Sequence, residues 1–117
     1  MNGMIDINAL YDAFNARDID AVLACLHPDV SWPNGWEGGR LHGRDAVRDY
    51  WLRQWAAINP TVTPMGYTLE SDGRTAVHVH QIVRALEGAV LSRSDVIHVY
   101  RAVDGLIQSM EIRGAQG

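Results

Sequence analysis

The stretch TAVHVHQIVRALEGAVLSRSDVIHVYRAVDGLIQSMEIR, residues 75–113, decides the fold class. It holds three segments rich in apolar residues, two of which alternate with the period of two that is typical of half-buried strands. The turn signals Glu87-Gly88 and Asp104-Gly105 separate these segments, which are 75–86, 90–102 and 106–113. The pattern predicts an antiparallel meander, in which consecutive strands pair through tight turns.

A fourth strand is expected just before this stretch. Residues 61–70 are strand-like, and the turn signal at 71–74 joins them to the segment at 75–86. Pro64 cannot donate to a sheet ladder, so it indicates an edge strand or a bulge.

The first half of the sequence has helical spacing of its apolar residues. We expect a helix at 4–14, a shorter helix that Asp18 caps and His27-Pro28 ends, and a third helix from Arg44 to Ile58. A short strand, Val30–Trp32, and a Gly-rich loop at 33–43 lie between the second helix and the third. Helices followed by a meander make an α+β fold, closed most simply by a curved sheet around helices with a cavity between them.

Length and composition narrow the class of protein further. The 117 residues are expected to form one domain, 1–117, and the single Cys25 cannot form an internal disulfide. All ten cationic side chains are Arg, so chemistry that needs a Lys amine is excluded. The net charge of -4 argues against nucleic acid and anionic membranes as partners, and no apolar run is long enough for a membrane span. A cytoplasmic location is the default expectation.

Three stretches resemble the nuclear transport factor 2-like superfamily, in particular its ketosteroid isomerase and SnoaL-like polyketide cyclase branches. They are YDAFNARDIDAVLACLHPDV at 11–30, LHGRDAVRDYW at 41–51 and DVIHVYRAVDGLIQSM at 95–110. The resemblance implies an α+β cone in which three N-terminal helices pack on a curved, mostly antiparallel sheet and enclose a pocket. It implies little about function, because one fold of this kind hosts many activities.

The resemblance also places the isomerase site on particular residues. The isomerases' general base, an Asp after the first strand, falls at Asn34, which has no titratable proton. Their second acid, and the acid/base Asp of the SnoaL-like cyclases, falls at His98. The isomerases' oxyanion Tyr falls on Leu10, with Tyr11 one residue further on. The usual steroid-isomerase mechanism is therefore not expected, whereas a cavity with other polar groups is.

If His98 faces the cavity, the period of two assigns the other faces. Tyr100 then faces inward with it, and the preceding strand is expected to turn His78 and His80 inward, while Asp95 faces outward unless a bulge turns it in. A slip of one residue would reverse a whole strand. We expect His80 and His98 to act as a general acid/base pair, with Asn34 and Tyr100 orienting a carbonyl. Two alternatives stay open, that these His are structural and that they bind a metal; no metal or cofactor is the expectation.

The four Trp lie within 24 residues, at positions 32, 36, 51 and 55. Trp51 and Trp55 share one helix face, since they are four residues apart. Either these rings fill the core of a chain with one Phe, or they line a pocket for a flat apolar ligand. We expect Trp32, Trp36, Trp51 and Trp55, together with His78 and Tyr100, to bind substrate.

The leading hypothesis for function is an enzyme of the isomerase, cyclase or dehydratase type that needs no cofactor and moves protons on a small hydrophobic oxygenated molecule. The alternatives are a binding protein with the same pocket and a dimeric interaction module. A homodimer is expected through the outer face of the sheet, to which the same alternation assigns Val77, Val79, Val83, Ile97 and Val99.

Overall fold

The computed structural model describes residues 6–34 and 38–114, and this part of the chain contains three helices and six strands. The elements are α1 (Ile7–Asn15), α2 (Ile19–Ala24), β1 (Leu26–Pro33), β2 (Arg40–His42), α3 (Arg44–Ala57), β3 (Asn59–Leu69), β4 (Thr75–Arg84), β5 (Val90–Val103) and β6 (Leu106–Gly114). The α+β class is confirmed, with α1, α2 and α3 ahead of the meander.

One mixed sheet carries all six described strands, in the order β2-β1-β6-β5-β4-β3. β3 to β6 form the expected antiparallel meander, and β1 adds to it in parallel alongside β6, where Leu26 pairs with Ile107. The sheet is not closed, since β2 and β3 lie at its two edges. The predicted edge strand and bulge at Pro64 are both confirmed, because the register of β3 against β4 shifts between Pro64 and Gly66.

Aspartate side chains begin the first two helices. Asp6 Oδ1 accepts a hydrogen bond from the Ala9 amide at 3.0 Å, and Asp18 Oδ1 accepts one from the Ala21 amide at 3.2 Å. Each side chain satisfies an amide that has no partner within the helix. The predicted cap at Asp18 is confirmed, and the predicted start of the first helix at residue 4 lies outside the described residues.

The sequence prediction is wrong about the segment that follows α2. The helix ends at Ala24, and His27 and Pro28 belong to a strand rather than to a helix end. The reason is tertiary pairing: Leu26 is fully buried against β6, and Arg44 Nε donates to its carbonyl at 2.8 Å. The expected loop at 33–43 likewise contains β2, which pairs with the end of β1.

The predicted register of β4 is wrong by one residue. Val77 lies opposite His98 in the antiparallel pair, and directly opposite residues share a face. Val77 and Val79 are therefore in the core, whereas His78 and His80 point away from it. Burying the valines removes apolar surface from water, while a His can stay solvated on the outer face.

This correction also changes the expected dimer surface. Val77 and Val79 are buried inside the molecule and Val83 lines its cavity, so three of the five residues assigned to the outer face are not there. Ile97 and Val99 do alternate with His98 on the other face of β5. The homodimer stays a prediction.

The connection between α1 and α2 fastens the edge strand β3 to the helices. Asn15 Nδ2 donates to the Val62 carbonyl at 2.7 Å, and the Val62 amide donates to Asn15 Oδ1 at 3.0 Å. Arg17 donates to the Pro60 carbonyl at 2.7 Å, and its guanidinium lies 5.3 Å from the centre of the Trp55 ring. The side-chain amide of Asn15 thus makes the two hydrogen bonds to Val62 that a neighbouring strand would make at this edge of the sheet.

None of the helices within residues 6–34 and 38–114 combines the length and the apolar character needed to cross a bilayer.

We predict that Asn15→Ala lowers the free energy of unfolding by about 1–3 kcal/mol, because it removes two hydrogen bonds and leaves backbone groups of Val62 unpaired. Urea denaturation measures the change. Asn8→Ala is the matched control, since Asn8 lies exposed on the same helix and is expected to change stability little. Equal effects of the two substitutions would contradict the role of Asn15.

Candidate functional site

A cavity of about 480 Å³ lies between the helices and the inner face of the sheet. Helices α1 and α3 contribute Leu10, Phe14 and Trp51 to its wall, and the strands contribute Val62, Val96 and Met110. This volume lies within the range of pockets that bind small organic molecules. The wall is mostly apolar, and only a few polar side chains line it.

Three polar side chains meet in the wall of the cavity. Tyr11 comes from α1, whereas His98 and Tyr100 are two residues apart on β5 and therefore face the same side. The Tyr11 hydroxyl lies 2.8 Å from His98 Nδ1 and 2.7 Å from the Tyr100 hydroxyl. The Tyr100 hydroxyl is 3.5 Å from the same Nδ1, so Tyr11 stands at the centre of the cluster. We call these three residues the Tyr–His–Tyr cluster.

Burial sets the charge state of this cluster. The three side chains are exposed by only 3%, 7% and 2% for Tyr11, His98 and Tyr100. Burial lowers the pKa of His98 to about 4, and it raises the pKa of both tyrosines well above the usual value. All three groups are therefore neutral near pH 7, and they interact as hydrogen-bonding dipoles rather than as ions.

No Asp, Glu or Arg is present among the described residues that line the cavity. Besides the Tyr–His–Tyr cluster, the polar lining consists of Tyr50 and Gln54 on α3 and Gln81 on β4. Gln81 is four residues along β4 from Val77, the partner of His98, so it lies about 13 Å further along the sheet. The cavity thus has one buried polar cluster, with Gln81 well separated from it along the sheet, and no fixed charge in the described part.

Two of the four predicted tryptophans line the cavity. Trp32 and Trp51 do so, with their ring centres 5.1 Å apart in an edge-to-face contact. Trp55 is not among the lining residues: it packs on Phe14 and Arg17, and its buried Nε1 has no hydrogen-bond partner among the described residues. Trp36 lies outside the described residues.

The three predicted cavity histidines do not come together. His98 lines the cavity as expected, but His78 and His80 lie on the outer face because of the one-residue slip in β4. His80 Nδ1 instead lies 2.8 Å from Asp95 Oδ1, and both side chains are exposed. The expected pairing of His80 with His98 is therefore wrong, and Asp95 points outward. Within 6–34 and 38–114, no three His, Cys, Asp or Glu side chains lie close enough to hold a metal ion.

Asn34 is buried at the end of β1 but is not among the residues that line the cavity. Its backbone closes the turn toward β2, because its amide donates to the Gly39 carbonyl at 2.9 Å and its carbonyl accepts from the Gly38 amide at 2.8 Å. This placement does not support the predicted contact of Asn34 with a ligand carbonyl.

Sequence reasoning did not select Tyr11, Gln54 or Gln81 for the site. Tyr11 follows Leu10, and both are buried, so the resemblance pointed one residue away from the hydroxyl that lies in the cavity. Gln81 faces inward because it lies an even number of residues from Val77 and Val79 along β4. The correct register of β4 would therefore have identified it.

The sequence matches the SnoaL-like domain over residues 7–110. The chain belongs to this family. It is the SnoaL branch of the nuclear transport factor 2-like fold, as its resemblance implied. A comparison with curated proteins finds no significant match.

Solved structures of other proteins share the fold over nearly the whole chain. TerC, crystallised with polyporic acid, is 27% identical with a TM-score of 0.79, and the match covers 93% of this chain and 88% of TerC. A nuclear transport factor 2-like protein of unknown function from Burkholderia pseudomallei is 28% identical with a TM-score of 0.79, covering 93% and 87% of the two chains. A Mycobacterium tuberculosis protein in complex with estradiol-17β-hemisuccinate is 23% identical with a TM-score of 0.77, covering 95% and 90%.

The buried His98 predicts a pH-dependent stability. Its pKa is about 4 in the folded protein and about 6.5 in an unfolded chain, so below pH 6.5 the unfolded chain binds a proton that the folded chain does not. The contribution of neutral His98 to the free energy of unfolding is complete above pH 6.5. It is lost as the pH falls through about 4, and the total loss is about 3 kcal/mol. Urea denaturation from pH 7 to pH 4 measures it.

The control is His98→Gln, which lacks the titrating ring. The difference in unfolding free energy between wild type and His98→Gln should shrink steadily over that interval. Parallel curves for the two proteins would show that His98 is not buried as a neutral imidazole.

Proposed function

We propose that the protein binds a small hydrophobic oxygenated molecule in the cavity and transfers a proton on it without a cofactor. The observation that carries this proposal is the Tyr–His–Tyr cluster, a set of neutral hydrogen-bonding groups in the wall of an otherwise apolar cavity of about 480 Å³. A few convergent polar groups in an apolar pocket orient a ligand that the apolar wall holds.

The shape of the lining supports a flat, apolar ligand. Trp32 and Trp51 offer large ring surfaces, and the aliphatic side chains of Val62, Val83 and Val96 add to the apolar wall. Related structures hold small organic molecules, since TerC was crystallised with polyporic acid and the M. tuberculosis protein with estradiol-17β-hemisuccinate.

His98 is the group we assign to the reaction, and Tyr11 and Tyr100 are the residues that position it. A ligand carbonyl beside Nε2 of His98 would be polarised by the ring. As the acidic C–H proton passes to a solvent water molecule, the negative charge that develops on the carbonyl oxygen would be stabilised by the hydrogen bond from the ring. A neutral imidazole can serve in this way as an electrophile. The reaction type that follows is isomerisation, ring closure or dehydration next to a carbonyl.

A second candidate is binding without turnover. One observation favours it: the described cavity wall contains no carboxylate, and an imidazole with a pKa of about 4 is a weak base. The proposed enzyme would then need a substrate whose own C–H group is acidic, whereas a binding protein would need no base.

Hydrogen–deuterium exchange separates the two candidates. β-Tetralone is a flat bicyclic ketone with an acidic C–H next to its carbonyl, and NMR in D₂O follows the replacement of that hydrogen. We expect the wild-type protein to accelerate the exchange. In His98→Phe the acceleration should be smaller by at least roughly tenfold, which is the loss typical of removing one electrostatic or acid–base group.

The matched control is His80→Phe, since His80 is exposed on the outer face of the sheet. It should keep the wild-type exchange rate. Saturable binding of β-tetralone with no acceleration would contradict catalysis and support the binding protein.

A second pair of variants tests whether the cavity is where the ligand binds. Val83 lines the cavity, whereas the neighbouring Ile82 does not. Val83→Phe should weaken β-tetralone binding at least tenfold in calorimetry, because the larger ring occupies the ligand's space. Ile82→Phe should leave the affinity unchanged, and equal losses in both variants would place the ligand elsewhere.

A further inference from the structure

We infer that the Tyr–His–Tyr cluster holds His98 with its proton on Nε2, so that the cavity offers a hydrogen-bond donor and selects neutral ligands with an acceptor oxygen, of the ketone or quinone class. The inference rests on the proposed function only in placing the ligand inside the cavity.

The number of hydrogens in the cluster fixes the tautomer of His98. Two short contacts join the three polar atoms of the cluster, Tyr11 to His98 Nδ1 at 2.8 Å and Tyr11 to Tyr100 at 2.7 Å. Each short contact needs one hydrogen. If Tyr100 donates to Tyr11 and Tyr11 donates to Nδ1, the two hydroxyl hydrogens fill both contacts, and each hydroxyl is a donor. Nδ1 is then an acceptor, which in a neutral ring puts the proton on Nε2.

The other tautomer brings one hydrogen too many. With a proton on Nδ1, three hydrogens compete for two short contacts. The third contact, between the Tyr100 hydroxyl and Nδ1 at 3.5 Å, is long, and in this tautomer it would join two donors. One buried hydroxyl would lose its acceptor within the cluster, and such a loss corresponds to a preference of roughly tenfold or more for the first arrangement.

Because the two tyrosines are buried, the count of hydrogens decides the tautomer. Tyr100 is exposed by 2% and Tyr11 by 3%, so bulk water does not reach either hydroxyl easily. An unpaired hydroxyl is costly in such surroundings because the local dielectric is low. The tyrosines therefore act as positioning residues that fix the tautomer of His98.

The absence of charge in the described lining gives the second half of the inference. A carboxylate ligand would enter a cavity whose described wall holds no Arg, and His98 is neutral near pH 7. The neutral donors of His98, Gln54 and Gln81 would offset only part of the loss of water from the anion. A neutral carbonyl oxygen loses little on leaving water and accepts the Nε2 hydrogen. The site thus favours a ketone or quinone over an acid of the same size.

Imidazole nitrogen NMR on the wild-type protein tests the tautomer without a ligand. The shifts distinguish a protonated ring nitrogen from an unprotonated one, and we expect Nε2 to be the protonated nitrogen of His98. Tyr11→Phe removes the donor to Nδ1 and should give a mixture of tautomers. Tyr67→Phe, at an exposed position on β3, is the matched control and should leave the tautomer unchanged. A proton on Nδ1 in the wild type would overturn the inference.

Three probes of nearly equal shape test the selectivity by calorimetry. They are methyl β-naphthyl ketone, its alkene isostere β-isopropenylnaphthalene, and the anion β-naphthoate. We expect the ketone to bind roughly tenfold more tightly than the alkene in wild type, and the two to bind about equally in His98→Phe. The anion should bind most weakly at neutral pH.

The outcomes separate the inference from the proposed function. Equal binding of ketone and alkene to the wild type, or tightest binding of the anion, would overturn the inference while the cavity remains a binding site. No binding of any probe, together with Nε2 protonated in the NMR experiment, would count against the proposed ligand class and the selectivity but leave the tautomer supported.

Discussion

The hydroxyl of Tyr11 is the contact on which the rest of the site depends. It joins α1 to β5 by reaching both His98 and Tyr100, and these residues are 87 and 89 positions away in the sequence. The hydrogen bonds hold the helix over the inner face of the sheet and satisfy three polar groups that burial would otherwise leave unpaired. Because the cluster is neutral, it can stand in an apolar wall without the desolvation cost of an ion. The cavity therefore keeps its polar end and its apolar surface in one rigid arrangement.

In the described part of the wall this cluster stands without the carboxylates that the resemblance to the isomerases implies. The resemblance puts the isomerases' base at Asn34 and their second acid at His98, and in the structure Asn34 turns the chain toward β2. A neutral imidazole backed by two phenols can polarise a carbonyl, but it is a poor base. The proposed chemistry is accordingly limited to ligands whose own C–H group is acidic.

Much of the fold follows from the sequence, and the failures have physical reasons. Asp18 with the apolar spacing after it predicts α2, and the turn signals at 71–74, Glu87-Gly88 and Asp104-Gly105 predict the meander, because these are local effects. The strand at Leu26 and the edge strand β2 depend on pairing with distant residues, which no local pattern reveals. Within the site, the parity of β5 is predicted correctly, so His98 and Tyr100 are found. The parity of β4 is not, because TAVHVHQIVR alternates valine and histidine, and either set can face the cavity until the pairing with β5 is known. A shift of one residue in the register of β4 puts Gln81 on the cavity face in place of His80.

A crystal structure of the protein with methyl β-naphthyl ketone tests the central claim most directly. The ketone oxygen should lie within hydrogen-bond distance of His98 Nε2, about 2.7–3.2 Å, with the naphthyl ring against Trp32 and Trp51. A ketone bound in the cavity with its oxygen directed at Gln81, or bound on the outer face beside His80, would contradict the claim that the Tyr–His–Tyr cluster is the ligand anchor.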